Sequence, residues 1–182
     1  MSPSLIFIEF VGAFFGAVFS FVALVWWEKR REHHDDQRAI SAAKNELQIN
    51  LLHNDSNRNL LKDDLEAQTE NKTVVQNLSL LRSEELRYAL TRLHKRPSAN
   101  SLSWKIRDVI QMTERVNQKI QYRETYQIHM ESMGNYSTRM TILDNNVLDV
   151  INFLDEVVKK LIPKLEEESG ERPAQTTTGI GT

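Results

Sequence analysis

The stretch REHHDD, residues 31–36, is the densest cluster of potential metal ligands in this chain of 182 residues. On a helix, side chains four residues apart lie on one face, so Glu32 and Asp36 are suitably spaced to hold a divalent ion. The adjacent His33 and His34 point about 100° apart, however, and cannot both bind one helical site. We therefore interpret this stretch as a solvated helix face and predict neither a metal site nor a cofactor.

Glu9 is the single ionisable residue in the apolar stretch from Leu5 to Trp27. An ionisable group inside a membrane helix can be a proton or cation site, or a polar contact to a partner. Glu9 also lies only about one turn inside the end of the stretch, where it can reach the lipid headgroups or remain protonated. We favour this second interpretation and keep the functional one as the alternative.

The sequence lacks the signatures of common enzymes. The glycine-rich phosphate-binding and dinucleotide-binding motifs are absent, as is G-x-S-x-G. Because the chain has no cysteine, thiol catalysis, disulfides and Cys-ligated zinc are excluded. Its 23 Lys and Arg residues are balanced by 25 Asp and Glu residues, so no global positive field attracts nucleic acid. We predict a protein that is not an enzyme, with no catalytic residues and no nucleic-acid partner.

The elements that position these residues begin with the apolar stretch itself, residues 5–27. At about 1.5 Å per residue its roughly 23 residues span about 34 Å, against about 30 Å for the hydrocarbon core of a bilayer. A cleaved signal peptide would have a basic start and a shorter apolar core. Here no Lys or Arg precedes the core, and it ends at Trp26 and Trp27. We predict a retained transmembrane helix with both tryptophans at the lipid interface.

The charges beside this span predict its orientation. Only the amino terminus precedes the span, whereas Lys29, Arg30 and Arg31 follow it. The positive-inside rule therefore places the N-terminus outside and the C-terminal domain in the cytoplasm. Neighbouring acidic residues count little in this rule, although they leave the reverse orientation open. We expect a single-pass protein of the cell membrane, anchored in the lipid bilayer.

The span has two different faces. At about 100° per residue, small residues fall within about 60° of Glu9, and phenylalanines occupy the opposite side. The small-residue face consists of Glu9, Gly12, Ala13, Gly16, Ser20 and Ala23. Small residues let two helix backbones approach closely in lipid. We predict that this face packs against another helix, from a second copy of the chain or from a different membrane protein.

The spacing of apolar residues from 28 to 168 predicts helices, and strand-like alternation bounded by turns is not evident. The first predicted helix continues from the span to about Glu66; the others cover about 74–95, 103–133 and 137–168. Ser83 is a possible interruption of the second helix, and Ser103 is the expected cap of the third. We expect Pro163 to kink the fourth helix or end it early.

Long helices with short connectors predict an antiparallel bundle or coiled coil. The first helix carries Asn50, Asn54 and Asn57 near its apolar stripe. Buried asparagines can fix register and partner choice, but a narrow, half-solvated helix face accounts for them more simply. The predicted fold class is all-α, with a transmembrane helix at 5–27, a cytoplasmic helical domain at 28–168 and a disordered tail at 169–182.

The order of these features resembles that of a broad group of uncharacterised prokaryotic single-span membrane proteins. The residues that carry the resemblance are the WWEKRRE flank, the ELxxN pattern at 46–50, the ELRYAL segment and RVNQKI at 115–120. The resemblance implies a prokaryotic membrane location and a cytoplasmic helical domain. It implies no activity.

Three hypotheses of function follow. The first is a non-enzymatic scaffold or accessory subunit that acts through protein contacts, as a homo-oligomer or with another membrane protein. The second is a signal-transducing or sensor module in which the span and the first helix pass a conformational change inward. The third requires the reverse orientation and is a coiled-coil bridge on the envelope side of the membrane.

Overall fold

A computed structural model describes residues 3–70, 76–95, 100–130 and 136–170, and the side-chain surroundings of 3–11, 128–130 and 136 lie outside this description. The helices are α1 (Pro3–Thr69), α2 (Glu84–Leu93), α3 (Asn100–Met130) and α4 (Tyr136–Ser169). No strand occurs in the described ranges. The all-α prediction, with one long apolar helix at the N-terminus, is confirmed.

The chain divides into two compact units, Met1–Arg38 and Ala39–Thr182, and α1 contributes residues to both. Within the first unit, α1 is long and apolar enough near the N-terminus to cross a membrane, and none of its apolar window is buried. Phe14, Phe19 and Phe21 are all more than half exposed. Such an apolar surface requires a cover other than water, because exposing it to water is unfavourable.

The second unit has one hydrophobic core to which all four helices contribute. Within it, α3 packs against both α2 and α4. The aliphatic side chains of α4 at spacings of three and four are buried together. These are Val147, Ile151, Leu154, Val158, Leu161 and Leu165. Helical periodicity thus places one face of α4 in the core, as the sequence predicts.

Of the two outcomes expected at Pro163, the early end of α4 does not occur, and the kink stays a prediction. The helix continues through Pro163 and ends only at Ser169. Leu161 and Leu165, on either side of the proline, are buried in the core. Gly170 then adopts a φ of 73°, a left-handed conformation that glycine adopts without the Cβ clash other residues meet. Its N–H donates to the carbonyl oxygen of Glu167 at 3.3 Å.

Three further helix boundaries differ from prediction. Residues 76–83, predicted as the first half of a helix over 74–95, are not helical, and only Glu84–Leu93 forms α2. Ser103 is not the cap of α3, because α3 already begins at Asn100 and Ser103 is buried one turn inside it. The first helix ends at Thr69 rather than near Glu66. The predicted end of the third helix at 131–133 and the tail from 171 onward lie outside the described residues.

Candidate functional site

No other described part of the chain packs against the small-residue face of the span. Ala13, Ser20 and Ala23 are exposed. A Cβ atom built on Gly12 or Gly16 would meet no other atom within 4 Å. A neighbouring backbone therefore has room to approach this face closely. The side chain of Glu9 lies outside the described surroundings, so its two interpretations stay predictions.

The end of the apolar stretch combines aromatic and basic side chains. Trp26 and Trp27 are 58% and 66% exposed, and Lys29, Arg30 and Arg31 are exposed as well. The guanidinium carbon of Arg30 lies 5.3 Å from the ring centroid of Trp26, which is a cation–π distance. Amphipathic rings beside guanidinium groups are suited to the boundary between lipid and water.

The REHHDD stretch that follows forms local contacts. Nε2 of His33 lies 3.2 Å from Nε2 of Gln37, one helical turn later, and Asp36 is buried. Among the described residues, no group of three or more His, Asp or Glu side chains is placed to hold a metal ion.

The second unit contains an unusual polar arrangement around residues 76–83, which we call the connecting segment. The side-chain amide of Asn57 pairs with the backbone of Ser79, donating from Nδ2 to O at 2.8 Å and accepting at Oδ1 from N at 2.7 Å. Asn50 pairs in the same way with Arg82, at 2.7 and 2.9 Å. Because an amide offers one donor and one acceptor, each asparagine satisfies both backbone groups of one residue.

The connecting segment is held from α3 as well. Asn117 pairs with the backbone of Leu81, with its Nδ2 2.9 Å from the carbonyl oxygen and its Oδ1 2.8 Å from the N–H. Three asparagines from two helices therefore replace the backbone hydrogen bonds that a helix or sheet would give this segment. Buried backbone groups need such partners, because leaving them unpaired is costly.

Glu46 of α1 explains where α2 begins. Its Oε2 accepts from the backbone N–H of Glu85 at 3.0 Å, and its Oε1 accepts from that of Leu86 at 3.2 Å. The first N–H groups of a helix have no partner within the helix, and Ser83 makes no side-chain cap there. A carboxylate from a distant part of the chain thus serves as the N-terminal cap of α2 and interacts favourably with its dipole.

The start of the connecting segment is fixed by a buried charged cluster of Arg123, Asp64 and Asp144. The guanidinium of Arg123 donates to both carboxylates, and all three side chains are fully buried. Arg123 Nη1 also donates to the carbonyl oxygen of Gln76 at 2.9 Å, and the N–H of Gln76 donates to Asp64 Oδ2 at 3.1 Å. The cluster connects α1, α3 and α4 with the first residue of the segment.

One guanidinium faces two carboxylates, so the cluster carries one net negative charge when both are ionised. A proton on either carboxylate would make the cluster neutral. Burial raises the pKa of Asp64 above its ordinary value, and the charge of Asp144 acts in the same direction. The hydrogen bond from Gln76 and the charge of Arg123 lower the pKa, but by less. Asp64 Oδ1 is buried without a hydrogen-bond partner among the described residues, which fits a carboxyl group that is readily protonated.

Sequence reasoning singled out Asn50, Asn54 and Asn57 but preferred a half-solvated helix face, and that preference is wrong. All three are buried. Asn50 and Asn57 bind the connecting segment, and Asn54 Nδ2 donates to Asp155 Oδ1 at 2.6 Å. Asn117 was missed, as were the charged residues of the cluster. The sequence around Asn117 gives no signal of this role. Only its contact with the backbone of Leu81 separates it from other polar residues of α3.

No protein-family model matches the chain, and neither a curated protein nor a solved structure matches it. Any proposal of function therefore rests on the chain's own residues and their geometry.

Proposed function

We propose that this protein is a single-span membrane protein whose helical domain acts, without enzymatic activity, as a scaffold or accessory subunit through protein contacts. Its span lies in the cell membrane, and the domain faces the cytoplasm. Its partner is a second copy of the chain or another membrane protein, which contacts the small-residue face. The observation that carries the proposal is the exposed apolar part of α1 with that face left open.

The exposed phenylalanines support the lipid contact. Phe14, Phe19 and Phe21 are 60%, 74% and 67% exposed, which is unfavourable in water and favourable in a hydrocarbon core. The tryptophans that follow have the position of an interfacial belt. Burial of this stretch in lipid removes the exposed apolar surface without requiring another protein to cover all of it.

The open small-residue face supports the protein contact. In lipid, helices are not drawn together by the hydrophobic effect, so close packing of backbones must supply the attraction. Gly12 and Gly16 have open space where a Cβ would lie, and both lie on one side of α1. A partner helix can therefore make close backbone contact at this face, whereas the phenylalanine side remains for lipid.

The polar interior of the second unit supports a scaffold rather than an enzyme. Three charged groups of the described residues that could otherwise react are engaged in holding the chain in place. Glu46 caps α2, and Asp64 and Arg123 bind each other and the backbone of Gln76. Catalytic groups must be free to contact a substrate, and these carboxylates and this guanidinium are committed to structural bonds.

Substitutions on the two sides of the span test the proposal. Gly16→Ile would put a branched side chain into a tight crossing and is expected to weaken association about tenfold or more in a membrane two-hybrid or crosslinking assay. Phe14→Ile, on the lipid side, is the matched control and should leave association unchanged. The assay is run against self and against any protein that copurifies in mild detergent.

Two results would contradict the protein contact. Equal effects of Gly16→Ile and Phe14→Ile would mean that no face is specific, and no effect of Gly16→Ile in any pairing would make the span only an anchor. Glu9→Gln extends the series. A loss of association as large as that of Gly16→Ile would identify Glu9 as a partner contact.

A further inference from the structure

Exposed cations follow the apolar part of α1 at short range. Arg30 and Arg31 are three and four residues beyond Trp27, which corresponds to about 4–6 Å along the helix axis. The headgroup layer of a bilayer is about 5–7 Å thick on each side. If Trp27 lies at the edge of the hydrocarbon core, both guanidinium groups lie at the depth of the lipid phosphates.

The charges around these arginines are separated by side of the helix. At about 100° per residue, the carboxylates fall in one arc of about 100° and the cations fall outside it. The carboxylates are Glu28, Glu32, Asp35 and Asp36, and the cations are Lys29, Arg30, Arg31 and Arg38. The formal charges sum to zero, but one side of α1 is positive. Asp36 is buried and Asp35 half-buried, and each already has a polar partner.

The side chain of Arg30 points toward the apolar end of α1, where a lipid headgroup would lie. Its guanidinium lies over the ring of Trp26, four residues nearer the apolar end. Trp27, Arg30 and Arg31 also line one concave surface of α1, together with His34, Asp35 and Arg38. Arg30 and Arg31 therefore lie next to the tryptophans. Asp35 adds one carboxylate to the same surface, which limits the net attraction.

We infer that Arg30 and Arg31 bind the phosphate groups of anionic phospholipids at the end of the span. Guanidinium groups donate paired hydrogen bonds to phosphate oxygens, and juxtamembrane cations are attracted to anionic lipid surfaces. The acidic arc disfavours a polyanion that wraps around the helix, such as nucleic acid, but does not obstruct a lipid on one side. This inference rests on the proposed membrane insertion, and it holds for either orientation of the span.

The test measures lipid preference of the full chain in vesicles of phosphatidylcholine and phosphatidylglycerol. A bromine label is placed on the acyl chains of one lipid at a time, and quenching of Trp26 and Trp27 fluorescence reports which lipid is adjacent. Every version carries Trp104→Phe, because Trp104 is exposed in the second unit and would add background. Both leaflets have the same composition, so orientation does not affect the result.

The version that keeps Arg30 and Arg31 should prefer phosphatidylglycerol over phosphatidylcholine by about fivefold or more, and added salt should reduce this preference. Arg30→Gln with Arg31→Gln should lower this preference to less than about twofold. Lys159→Gln with Lys160→Gln is the matched control, because it removes two exposed adjacent cations from α4 and should change nothing. Glu28→Gln with Glu32→Gln should raise the preference.

Several results would overturn the inference. These are no preference with both arginines present, an equal loss in the α4 control, or no increase when the two glutamates are neutralised. Loss of the preference on adding inorganic phosphate at constant ionic strength would identify a site for free phosphate instead of lipid. Loss of the preference on adding an acidic polypeptide at constant ionic strength would identify a protein partner instead of lipid.

Resistance to extraction by alkaline carbonate separates this inference from the proposed function. Protein that remains in the vesicles but shows no lipid preference contradicts only the lipid site. Protein that is extracted contradicts membrane insertion, and the lipid site fails together with it.

Discussion

The side chain of Asn57 and the backbone of Ser79 are joined by two hydrogen bonds across 22 positions of sequence. The amide of Asn57 acts as the neighbouring strand would in a β-ladder, donating to the carbonyl and accepting from the N–H. Asn50 and Asn117 repeat this relationship with Arg82 and Leu81. The connecting segment is thereby bound to α1 and α3 through its backbone, while its side chains Leu78 and Leu81 are buried in the core.

Asn57→Ala should lower the free energy of unfolding by about 2–3 kcal/mol, because it leaves two partly buried backbone groups of Ser79 unpaired. Asn59→Ala is the matched control, since Asn59 is exposed on the same helix and should change stability by less than about 0.5 kcal/mol. Urea unfolding of the full chain in mild detergent, followed by circular dichroism, measures both. Equal stabilities of the two variants would contradict the role of Asn57.

Arg123→Ala should lower the free energy of unfolding by about 3–5 kcal/mol, because Asp64 and Asp144 would then be buried without a compensating charge. Arg115→Ala, at an exposed position of α3, is the control and should have little effect. Changing all three members together, with Arg123→Met, Asp64→Asn and Asp144→Asn, should recover most of the loss. A triple variant as unstable as Arg123→Ala would show that the charges are not the cause.

The raised pKa of Asp64 predicts a specific dependence of stability on pH. Between the ordinary aspartate pKa and the raised pKa in the native state, the native protein binds more protons than the unfolded chain. The contribution of Asp64 to the free energy of unfolding therefore falls as pH rises through this window. Above the native-state pKa, the full cost of the buried charge is present.

Asp64→Asn removes this titration and should flatten that part of the stability profile. The exposed neighbour variant Asp63→Asn should keep the original dependence. Unfolding in urea at a series of pH values measures the difference between each variant and the parent. A parent-minus-Asp64→Asn difference that rises with pH in this window would mean that the pKa of Asp64 is lowered instead.

The orientation of the span can be tested with single cysteines, because the chain has none of its own. Lys29, Arg30 and Arg31 predict a cytoplasmic C-terminal side. Thr178→Cys should therefore resist an impermeant maleimide in intact cells and react after lysis, whereas Ser2→Cys should react without lysis. The opposite pattern would place the domain on the outer side and favour the envelope-bridge hypothesis.

The sequence by itself determined the helical class and the long apolar N-terminal helix. Both follow from the spacing of apolar residues within a single helix, and this spacing does not depend on the other helices. The buried stripe of α4, from Val147 to Leu165, follows from apolar residues at spacings of three and four.

Only the tertiary structure decided that residues 76–83 are not helical. Leu78 and Leu81 are buried, and their spacing of three also fits a helix, so periodicity could not separate the two structures. The choice depends on which partners the backbone finds, and these lie on α1 and α3, 22 to 36 positions away. The cluster of Asp64, Arg123 and Asp144 has the same origin. Its members come from three helices, and a charged residue is buried only where the fold brings a partner of opposite charge to it.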